Sequence, residues 1–321
     1  MNRLERKRLQ ASEPAKATGD CLFSLFIPTC NRAHLLPRAL QSIEQQTCRD
    51  FEVLVIDDGS TDDTQAVVES WAAATGLSVH YVWQENAGKP AAHNEAIRRA
   101  RGRFIVILDS DDVLAPGALE ILQRQWEAIP SREREHFAGV EGLCADLQTG
   151  QIIGDRFPQS VMDSSYLETR YRLGIGGDKK NAMRTDVLRM HPFPLFPGEK
   201  HLPESVVWNR IARRYNFRYV NEVVQYVEYQ PDGLSGRIRR LRYENPRGFR
   251  LAALETIEFC ADYCSRLELY RSAVRYGRYS LLAGVGLFTQ WRDIPRKGLW
   301  LLALPEATLH WLKDLWRRRH N

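Results

Sequence analysis

The sequence predicts an α/β fold in which a mainly parallel sheet is flanked by helices and followed by a C-terminal helical extension. Three observations predict it. Between residues 21 and 130, β-rich segments alternate with single amphipathic helices, and this alternation implies right-handed crossovers between parallel strands. Acidic turns follow two of these segments. From residue 237 onward the pattern becomes helical and the composition basic.

Four strand–helix pairs account for the first part of the chain. Strands are expected at short apolar runs, namely 21–27, 51–56, 79–83 and 103–108. Helices are expected where apolar residues recur every three or four positions, namely 35–46, from Thr61 through Trp71, 90–101 and 116–129. Pro28 and the turn at 57–60 end the first two strands. The order strand, helix, strand therefore repeats without interruption up to residue 129.

The second part of the chain has a weaker pattern. A mixed stretch runs to Gly177, and a helix is then expected at 204–215, followed by two strands at 217–220 and 223–228. The region 248–321 has helical spacing, and Pro305 suits the first turn of the last helix. On that last helix, Thr308, Trp311, Leu312, Leu315 and Trp316 are expected to share a face opposite His310, Lys313, Asp314 and Arg317.

Composition narrows the function classes. The chain has 321 residues, 44% of them hydrophobic, which is enough for a sizeable core. Its net charge of +5 is too small to indicate a nucleic-acid-binding protein. The six cysteines form no CxxC pair, so we expect reduced thiols in a cytoplasmic protein. The polar start of the chain has no apolar segment typical of a secretory signal, and no run approaches the roughly 18 apolar residues of a membrane-spanning helix.

Carboxylates collect where two predicted parallel strands end. Asp109, Asp111 and Asp112 follow the strand at 103–108, and three carboxylates this close repel one another unless a cation is present. Such oxygen ligands favour Mg²⁺ or Mn²⁺. Asp57 and Asp58 follow a second strand and offer acceptors for a base or a ribose. Asp-rich segments are often simple turns, but two of them at the carboxyl ends of parallel strands favour a ligand site.

Other nucleotide-binding motifs are missing. The segment Pro28–Arg32 contains no glycine, so the first strand is not followed by GxGxxG, and the chain has no GxxxxGK[ST]. The nucleotidyltransferases that make sugar nucleotides resemble the chain less, because they carry a glycine-rich, basic loop directly after the first strand. Neither a dinucleotide fold nor a P-loop protein is therefore expected.

Several segments together resemble one family. FSLFIPTCNR, VLVIDDGSTDDT, ENAGKPAAHNEAIRRARGRFIVILDSDDVL and GEKHLPESVVWNRIARRY occur in the order typical of the family 2 inverting glycosyltransferases, which have the GT-A, Rossmann-like fold. The resemblance covers about residues 22–235. It implies a metal-dependent transfer of a sugar from a nucleoside-diphosphate sugar, most often UDP-linked, to a hydroxyl of a glycan or a lipid-linked acceptor. A catalytically silent nucleotide-sugar-binding or scaffolding subunit is the alternative.

The resemblance also implies roles for individual residues. Pro28, Thr29 and Arg32 would border the nucleotide, Asp57 would accept from the base, and Asp58 would lie near the ribose. The remaining donor-binding positions are Gly88, Lys89, Asn94, Asp109, Ser110 and Asp111. Asp109 and Asp111 match the DxD pair. The predicted metal ligands for Mn²⁺ or Mg²⁺ are Asp111, Asp112 and Asp109.

A late acidic residue would act as the catalytic base. In the family it belongs to a Glu-Asp pair four residues before an aromatic side chain, and counting back from Trp208 gives Glu204, which follows Pro203. Glu199 is the next candidate and Asp186 the third. The resemblance also makes Arg237 or Arg239 candidates for a contact with phosphate. We thus expect a flexible basic leader at 1–20, a nucleotide-sugar-binding half at 21–130, an acceptor and base half at 131–236, and the helical extension at 237–321.

The extension differs chemically from the rest. Between residues 237 and 321 there are 17 Lys and Arg against 8 Asp and Glu, with four of the eight tryptophans. Tryptophans beside Arg317-Arg318-Arg319 are typical of a helix that lies on an anionic leaflet. The sequence predicts either contact with an anionic membrane surface through 300–321, on the inner face of the cell membrane, or packing on the protein itself.

Overall fold

The computed structural model describes residues 21–230, 233, 236 and 238–320, with no side chains given for 318–320. The predicted leader at 1–20 and Arg237 lie outside the described residues. The structure confirms an α/β fold with a central sheet, flanking helices and C-terminal helices. The strands are β1 (Cys21–Thr29), β2 (Phe51–Asp57), β3 (Val79–Trp83), β4 (Gly102–Ile107), β5 (Val113–Leu114), β6 (Phe137–Asp146), β7 (Val161–Ser164), β8 (Lys179–Arg184) and β9 (Asn216–Val227).

The α-helices occur between and after these strands. They are α1 (Leu36–Glu44), α2 (Thr64–Thr75), α3 (Lys89–Arg99), α4 (Ala118–Glu127), α5 (Thr185–Met190), α6 (Ser205–Ile211), α7 (Ile238–Glu244), α8 (Pro246–Phe259), α9 (Arg266–Leu282), α10 (Leu287–Asp293) and α11 (Lys297–His320). A 3₁₀ turn (Arg134–His136) and a π turn (Glu168–Arg172) complete the description. The helices and strands predicted up to residue 129 are all present, with ends that differ by a few residues.

The sheet has the strand order β3-β2-β1-β4-β8-β6-β9-β5, and β7 pairs with β9. The strands β1 to β4 are parallel neighbours, as the crossover argument predicts. From β4 onward, the pairs of β8 with β4 and β6 and of β5 with β9 are antiparallel. The parallel arrangement therefore belongs to the first four strands, and an antiparallel half extends the sheet on one side.

Four strands of the antiparallel half escaped prediction, among them the two-residue strand β5. The mixed stretch contains β6 and β7, and β8 follows it directly. Glycines interrupt the apolar pattern of β6, and Gly139 is needed there because a Cβ would lie 2.0 Å from the carbonyl oxygen of Ala182 on β8. The two strands expected at 217–220 and 223–228 are in fact the single strand β9. Its polar middle is accommodated because Asn221 hydrogen-bonds the backbone of Phe157 and Gln159.

The chain divides into two compact units that interleave along the sequence. The first unit contains residues 21–163, 177–192 and 217–228, and thus the whole sheet apart from the strand tips. Its core is formed by one face of the sheet and the apolar sides of α1 and α4, where Leu36, Leu40, Ile43 and Leu119 are fully buried. The regular 3–4 spacing of these residues explains why both helices were predictable.

The second unit contains residues 164–176, 193–216 and the described residues from Tyr229 onward. Helices α8, α9 and α11 share a core around Ile257, Tyr276 and Trp300. Pro305 lies inside α11 rather than at the start of a helix, as was expected from the sequence. In the described part of the chain, no helix combines the length and the hydropathy needed to cross a membrane.

Candidate active site at the strand ends

The strand ends of the parallel half meet at one edge of the sheet. Thr29, Asp57 and Trp83 are paired in register at the ends of β1, β2 and β3. Beyond the last residue of β4, Leu108 still donates its backbone N–H to Phe26 on β1 at 2.9 Å. The segments 57–60 and 109–112, called here the first and second acidic turns, therefore leave the sheet at the same edge, as predicted.

The first acidic turn is held by uncharged donors. The Asp57 carboxylate accepts the backbone N–H of Ser60 at 2.7 Å and the hydroxyl of Tyr81. The Asp58 carboxylate accepts Gln84 Nε2 at 2.8 Å and the backbone N–H groups of Ala87 and Gly88 at 2.8 and 2.7 Å. Both aspartates are buried. Asp58 thus fixes the loop that leads into α3, a role that the sequence did not suggest.

The loop after β1 is tied to this turn. Asn31 has a left-handed backbone (φ 54°), and its Oδ1 accepts the backbone N–H of Thr61 at 2.8 Å. Ser60 Oγ accepts the Asn31 N–H at 2.8 Å. The Thr29 hydroxyl is buried at the strand end and has no hydrogen-bond partner within the described residues. Since buried polar groups are nearly always paired, this hydroxyl is a candidate for contact with a ligand. Pro28, which precedes it, is half-buried.

Helix α3 points its first residues toward the second acidic turn. Gly88 has φ 90°, a conformation that favours glycine, and precedes Lys89 at the start of the helix. Lys89 Nζ lies 2.8 Å from Asp109 Oδ1. Asn94, also on α3, is half-buried. His93 is buried and packs edge-on against Phe26, with ring centroids 5.0 Å apart, so its position is explained by core packing.

Asp109 lies between two ammonium groups. Lys89 binds one carboxylate oxygen, and Lys180 on β8 lies 2.7 Å from the other. Burial opposes the charged form of Asp109, but the two ammonium groups outweigh it and hold the pKa of Asp109 well below its usual range. Burial likewise opposes the charge on Lys180, whose pKa is nevertheless raised by Asp109 and Asp112. The first carboxylate of the DxD pair is therefore ionised and fixed in place.

Asp112 turns toward the sheet. It is buried, and one carboxylate oxygen accepts Gln225 Nε2 at 2.6 Å. The other oxygen accepts the backbone N–H of Glu228 at 3.4 Å. Burial raises the pKa of Asp112, and the charges of Asp109 and Asp111 raise it further, while Lys180 acts in the opposite sense. Asp112 therefore secures the second acidic turn to β9. Ser110, between these aspartates, is also buried.

Asp111, like Asp109, is a half-buried carboxylate of the second acidic turn. Its pKa is raised by burial and then by the charge of Asp109, while Arg32 and Lys89 lower it. Its backbone carbonyl accepts Arg38 Nη2 at 2.6 Å, and the same guanidinium reaches Glu228 at 2.8 Å. Burial and the neighbouring negative charges therefore raise the pKa of both Asp111 and Asp112.

The predicted sharing of one cation by Asp109, Asp111 and Asp112 stays a prediction. Among the residues described, no three His, Cys, Asp or Glu side chains are spaced to hold a metal ion together. The physical reason is that Lys180 takes the place between Asp109 and Asp112, at 2.7 and 3.9 Å. Mg²⁺ and Mn²⁺ are commonly held by one or two protein carboxylates together with substrate phosphates and water. The half-buried carboxylate of Asp111 fits that smaller donor set.

The candidate bases have different surroundings. Glu204 belongs to the second unit, is half-buried, and immediately precedes α6 as expected. Glu199 accepts the backbone N–H groups of Arg247 and Gly248 at 2.8 and 2.9 Å and so caps α8. Asp186 is paired with Arg184 at 2.6 Å, and although burial opposes it, this pairing lowers the pKa of Asp186. The two alternatives thus have structural tasks in the protein.

Sequence reasoning missed Lys180, Gln225 and Tyr81 as partners of the acidic residues. Lys180 lies on a strand that was not predicted, and Gln225 lies on the distant strand β9. Tyr81 could have been found, since it alternates with His80 and Val82 on a predicted strand two residues from its end. Lys180 and Gln225 gave no local signal, because their contacts with the acidic residues depend on the pairing of strands that are distant in sequence.

Known proteins resemble this chain in sequence. Residues 24–131 match the model of the family described as glycosyl transferase family 2. Chondroitin synthase from Escherichia coli is 41% identical over 100 residues, which is 31% of this chain and 14% of that protein. The GalNAc(5)-diNAcBac-PP-undecaprenol beta-1,3-glucosyltransferase from Campylobacter jejuni is 33% identical over 130 residues, 40% of each chain. The chain thus spans less than half the length of these curated relatives.

Solved structures resemble its fold. TarS 1–349 from S. aureus in complex with UDP-GlcNAc matches with a TM-score of 0.59 and 19% identity, over 89% of this chain and 80% of that one. Mannosyltransferase PcManGT from Pyrobaculum calidifontis, in complex with GDP-Man and Mn²⁺, matches with a TM-score of 0.57 and 21% identity, over 98% and 93%. The chain has the GT-A fold, and its residues 24–131 match the family 2 glycosyltransferases.

Proposed function

We propose that the protein is a metal-dependent, inverting glycosyltransferase. It moves a hexosyl group from a nucleoside-diphosphate sugar, UDP-linked, to a hydroxyl of a glycan or a lipid-linked acceptor. The observation that carries the proposal is that the two acidic turns meet at one edge of the sheet, where Lys89 binds Asp109 of the second turn. Ligands bind at this edge of parallel sheets, and a nucleoside diphosphate needs both acceptors for its base and ribose and cations for its phosphates.

The residues present suit such a donor. Thr29, whose hydroxyl has no partner among the described residues, and Asp57 are paired in register at the strand ends, where a base and ribose would lie. Lys89 and Lys180 supply positive charge on either side of Asp109, and Arg32 acts on Asp111. Asp111 would hold Mn²⁺ or Mg²⁺, with Asp112 and Asp109 fixing the turn around it. When bound, the ion supplies charge that stabilises the departing diphosphate.

The proposed base is Glu204. An acceptor hydroxyl is a poor nucleophile, so a carboxylate within hydrogen-bond reach must take its proton as it attacks. A single displacement of this kind inverts the anomeric centre. The proposal is supported by the position of Glu204 directly before α6, where the sequence predicts the start of a helix.

We propose a lipid-linked acceptor because the relative from Campylobacter jejuni is named for an undecaprenol-linked one. An acceptor of this class would place the protein in the cytoplasm, at the inner face of the cell membrane. The partners are then a nucleoside-diphosphate sugar and a lipid-linked or glycan hydroxyl.

Donor hydrolysis tests the reaction class. The protein is incubated with a panel of UDP- and GDP-sugars, with Mn²⁺, with Mg²⁺ or with EDTA, and the release of nucleoside diphosphate is measured. We expect slow release with one donor, only when a divalent ion is present. Binding of a nucleotide sugar by calorimetry without any release in the presence of acceptor extracts would contradict the proposal and favour a silent binding subunit.

A second experiment tests the base. Glu204→Gln is expected to reduce transfer to an acceptor by at least about 1,000-fold while the affinity for the donor stays within about twofold, because the carboxylate acts only on the acceptor. Glu199→Gln serves as the matched variant, and it should reduce thermal stability through the lost cap of α8 more than turnover. A Glu204→Gln protein that transfers sugar at the parent rate would rule Glu204 out.

A further inference from the structure

Helix α11 has two apolar faces. One face is buried: Trp300, Ala303 and Ala307 pack with α8 and α9, and Asp314 continues this face, 1% exposed, in an ion pair with Arg278 at 2.6 Å. The sequence predicted the opposite orientation, with Asp314 on the solvent side. The prediction was wrong because Arg278 on α9 neutralises Asp314 within the packed face.

The other face points to solvent and is also apolar. Leu301, Pro305, Leu309, Leu312 and Trp316 follow one another at intervals of three or four residues, and Leu302 lies beside them. These six residues are called here the outer stripe. Leu302 is 71% exposed, Trp316 62% and Leu309 58%. A row of large apolar side chains that a fold leaves uncovered marks an interaction surface.

Basic residues border the outer stripe. Lys313 is four residues after Leu309 and three before Trp316, which makes it their direct neighbour on the helix surface, and Arg317 is four residues further. The segment 287–320 contains 7 Lys and Arg against 3 Asp and Glu. Of these acids, Asp314 is buried in its ion pair and Asp293 is bound by Arg250 and Arg292. The charge around the stripe is therefore positive.

We propose that the outer stripe docks onto the surface of an anionic lipid bilayer, with α11 lying in the plane of the interface. An apolar row flanked by Lys and Arg, with a tryptophan at one end, matches the division between acyl chains and anionic headgroups. A second copy of the chain does not fit as the occupant, since pairing two stripes would bring their basic borders together. The proposal rests on α11 alone and does not depend on the proposed sugar transfer.

Vesicle flotation of the full-length protein tests the proposal. The vesicles are made of phosphatidylcholine alone or with 30% phosphatidylglycerol (about one anionic lipid in three). We expect the parent to float with anionic vesicles and to be released by salt. The double variant L302E/L309E should reduce the bound fraction at least about tenfold, because glutamates do not enter the acyl region. K313Q/R317Q should weaken binding to anionic vesicles by about fivefold for each charge.

Leu195→Glu is the matched control, since Leu195 is 56% exposed but lies outside the stripe; it should float like the parent. Circular dichroism and donor hydrolysis show whether each variant is folded, so a failure of docking is separate from a failure of the proposed reaction. The proposal is overturned if the folded parent does not bind anionic vesicles, or if L302E/L309E binds as well as L195E. It is also overturned if the variant instead abolishes a dimer seen by light scattering.

Discussion

The two acidic turns are alike in sequence but stabilised in different ways. In the first, Asp57 and Asp58 accept hydrogen bonds from backbone N–H groups and neutral side chains. In the second, Asp109 lies between two lysines, and Asp111 and Asp112 are left with raised pKa values. The comparison teaches that the carboxylates of the first turn fix the conformation of a loop. Those of the second turn concentrate charge where a cation and phosphates are proposed to bind.

Within the two acidic turns, the largest expected effect on turnover is that of Asp111→Asn. If the charge of Asp111 binds a divalent ion, the variant should release nucleoside diphosphate at least about 100-fold more slowly. Its stability at pH 7 should be unchanged or higher, because burial and Asp109 make the charged form of Asp111 unfavourable in the folded state. The exposed Asp50→Asn is the control. Equal rates in D111N and the parent would show that the second turn does not hold the metal.

Lys180→Met should be next in effect. Turnover is expected to fall by at least about tenfold, and the free energy of unfolding at pH 7 by about 2 kcal/mol, because Asp109 loses one of its two half-buried lysine partners. Asp109 has a lowered pKa, so its contribution to stability is present above the unfolded pKa and is lost as the pH falls through the folded one. In K180M the folded-state pKa of Asp109 should be higher, so this loss should be smaller and end at a higher pH. Denaturant unfolding between pH 3 and 7 measures the free energy of unfolding and its dependence on pH.

A double variant sharpens that result. Asp109→Asn combined with Lys180→Met removes both charges, and it should recover part of the stability that K180M alone loses. If the two single changes add without coupling, the ion pair is not what fixes Asp109.

Asp58→Asn examines the first turn. The amide keeps one acceptor oxygen but presents an NH₂ group to the remaining N–H donors of the loop, so the free energy of unfolding should fall by about 1–2 kcal/mol. The KM for the donor should rise several-fold with little change in kcat, since the loop shapes the pocket without carrying charge. A loss of kcat as large as that in D111N would mean that the turns do not differ in role.

Glu141→Gln should affect turnover least. Glu141 is buried on β6, and burial raises its pKa to about 7 despite Asn181 and Lys179. A raised carboxyl pKa means that stability is lost as the pH rises from about 4.5 to 7, by an amount on the order of 3 kcal/mol. The glutamine variant should remove this loss, so the parent and variant should match at pH 4.5 and diverge by pH 8 in thermal unfolding.

The parallel half and its site edge were predictable because local signals repeat there. Apolar strands, helical spacing and the two acidic turns all lie within residues 21–130, and the register of β1 with β2 brings Thr29 and Asp57 together as expected. The antiparallel half was not predictable, since β6 contains glycines and β8 reads KKNAMR, largely polar. A lysine on such a strand acquires its role only through pairing with distant segments.

The close approach of β8 to β6 at Gly139 has a consequence for the charged centre. Any residue other than glycine there would push the two strands apart, because its first side-chain carbon would overlap the carbonyl oxygen of Ala182. Lys180 lies two residues before Ala182 on β8. The spacing between the main chains of β8 and β6 therefore sets how far Lys180 can reach toward Asp109. The absence of a Cβ at Gly139 therefore sets a strand spacing on which the Lys180–Asp109 ion pair depends, although Gly139 is not part of that pair.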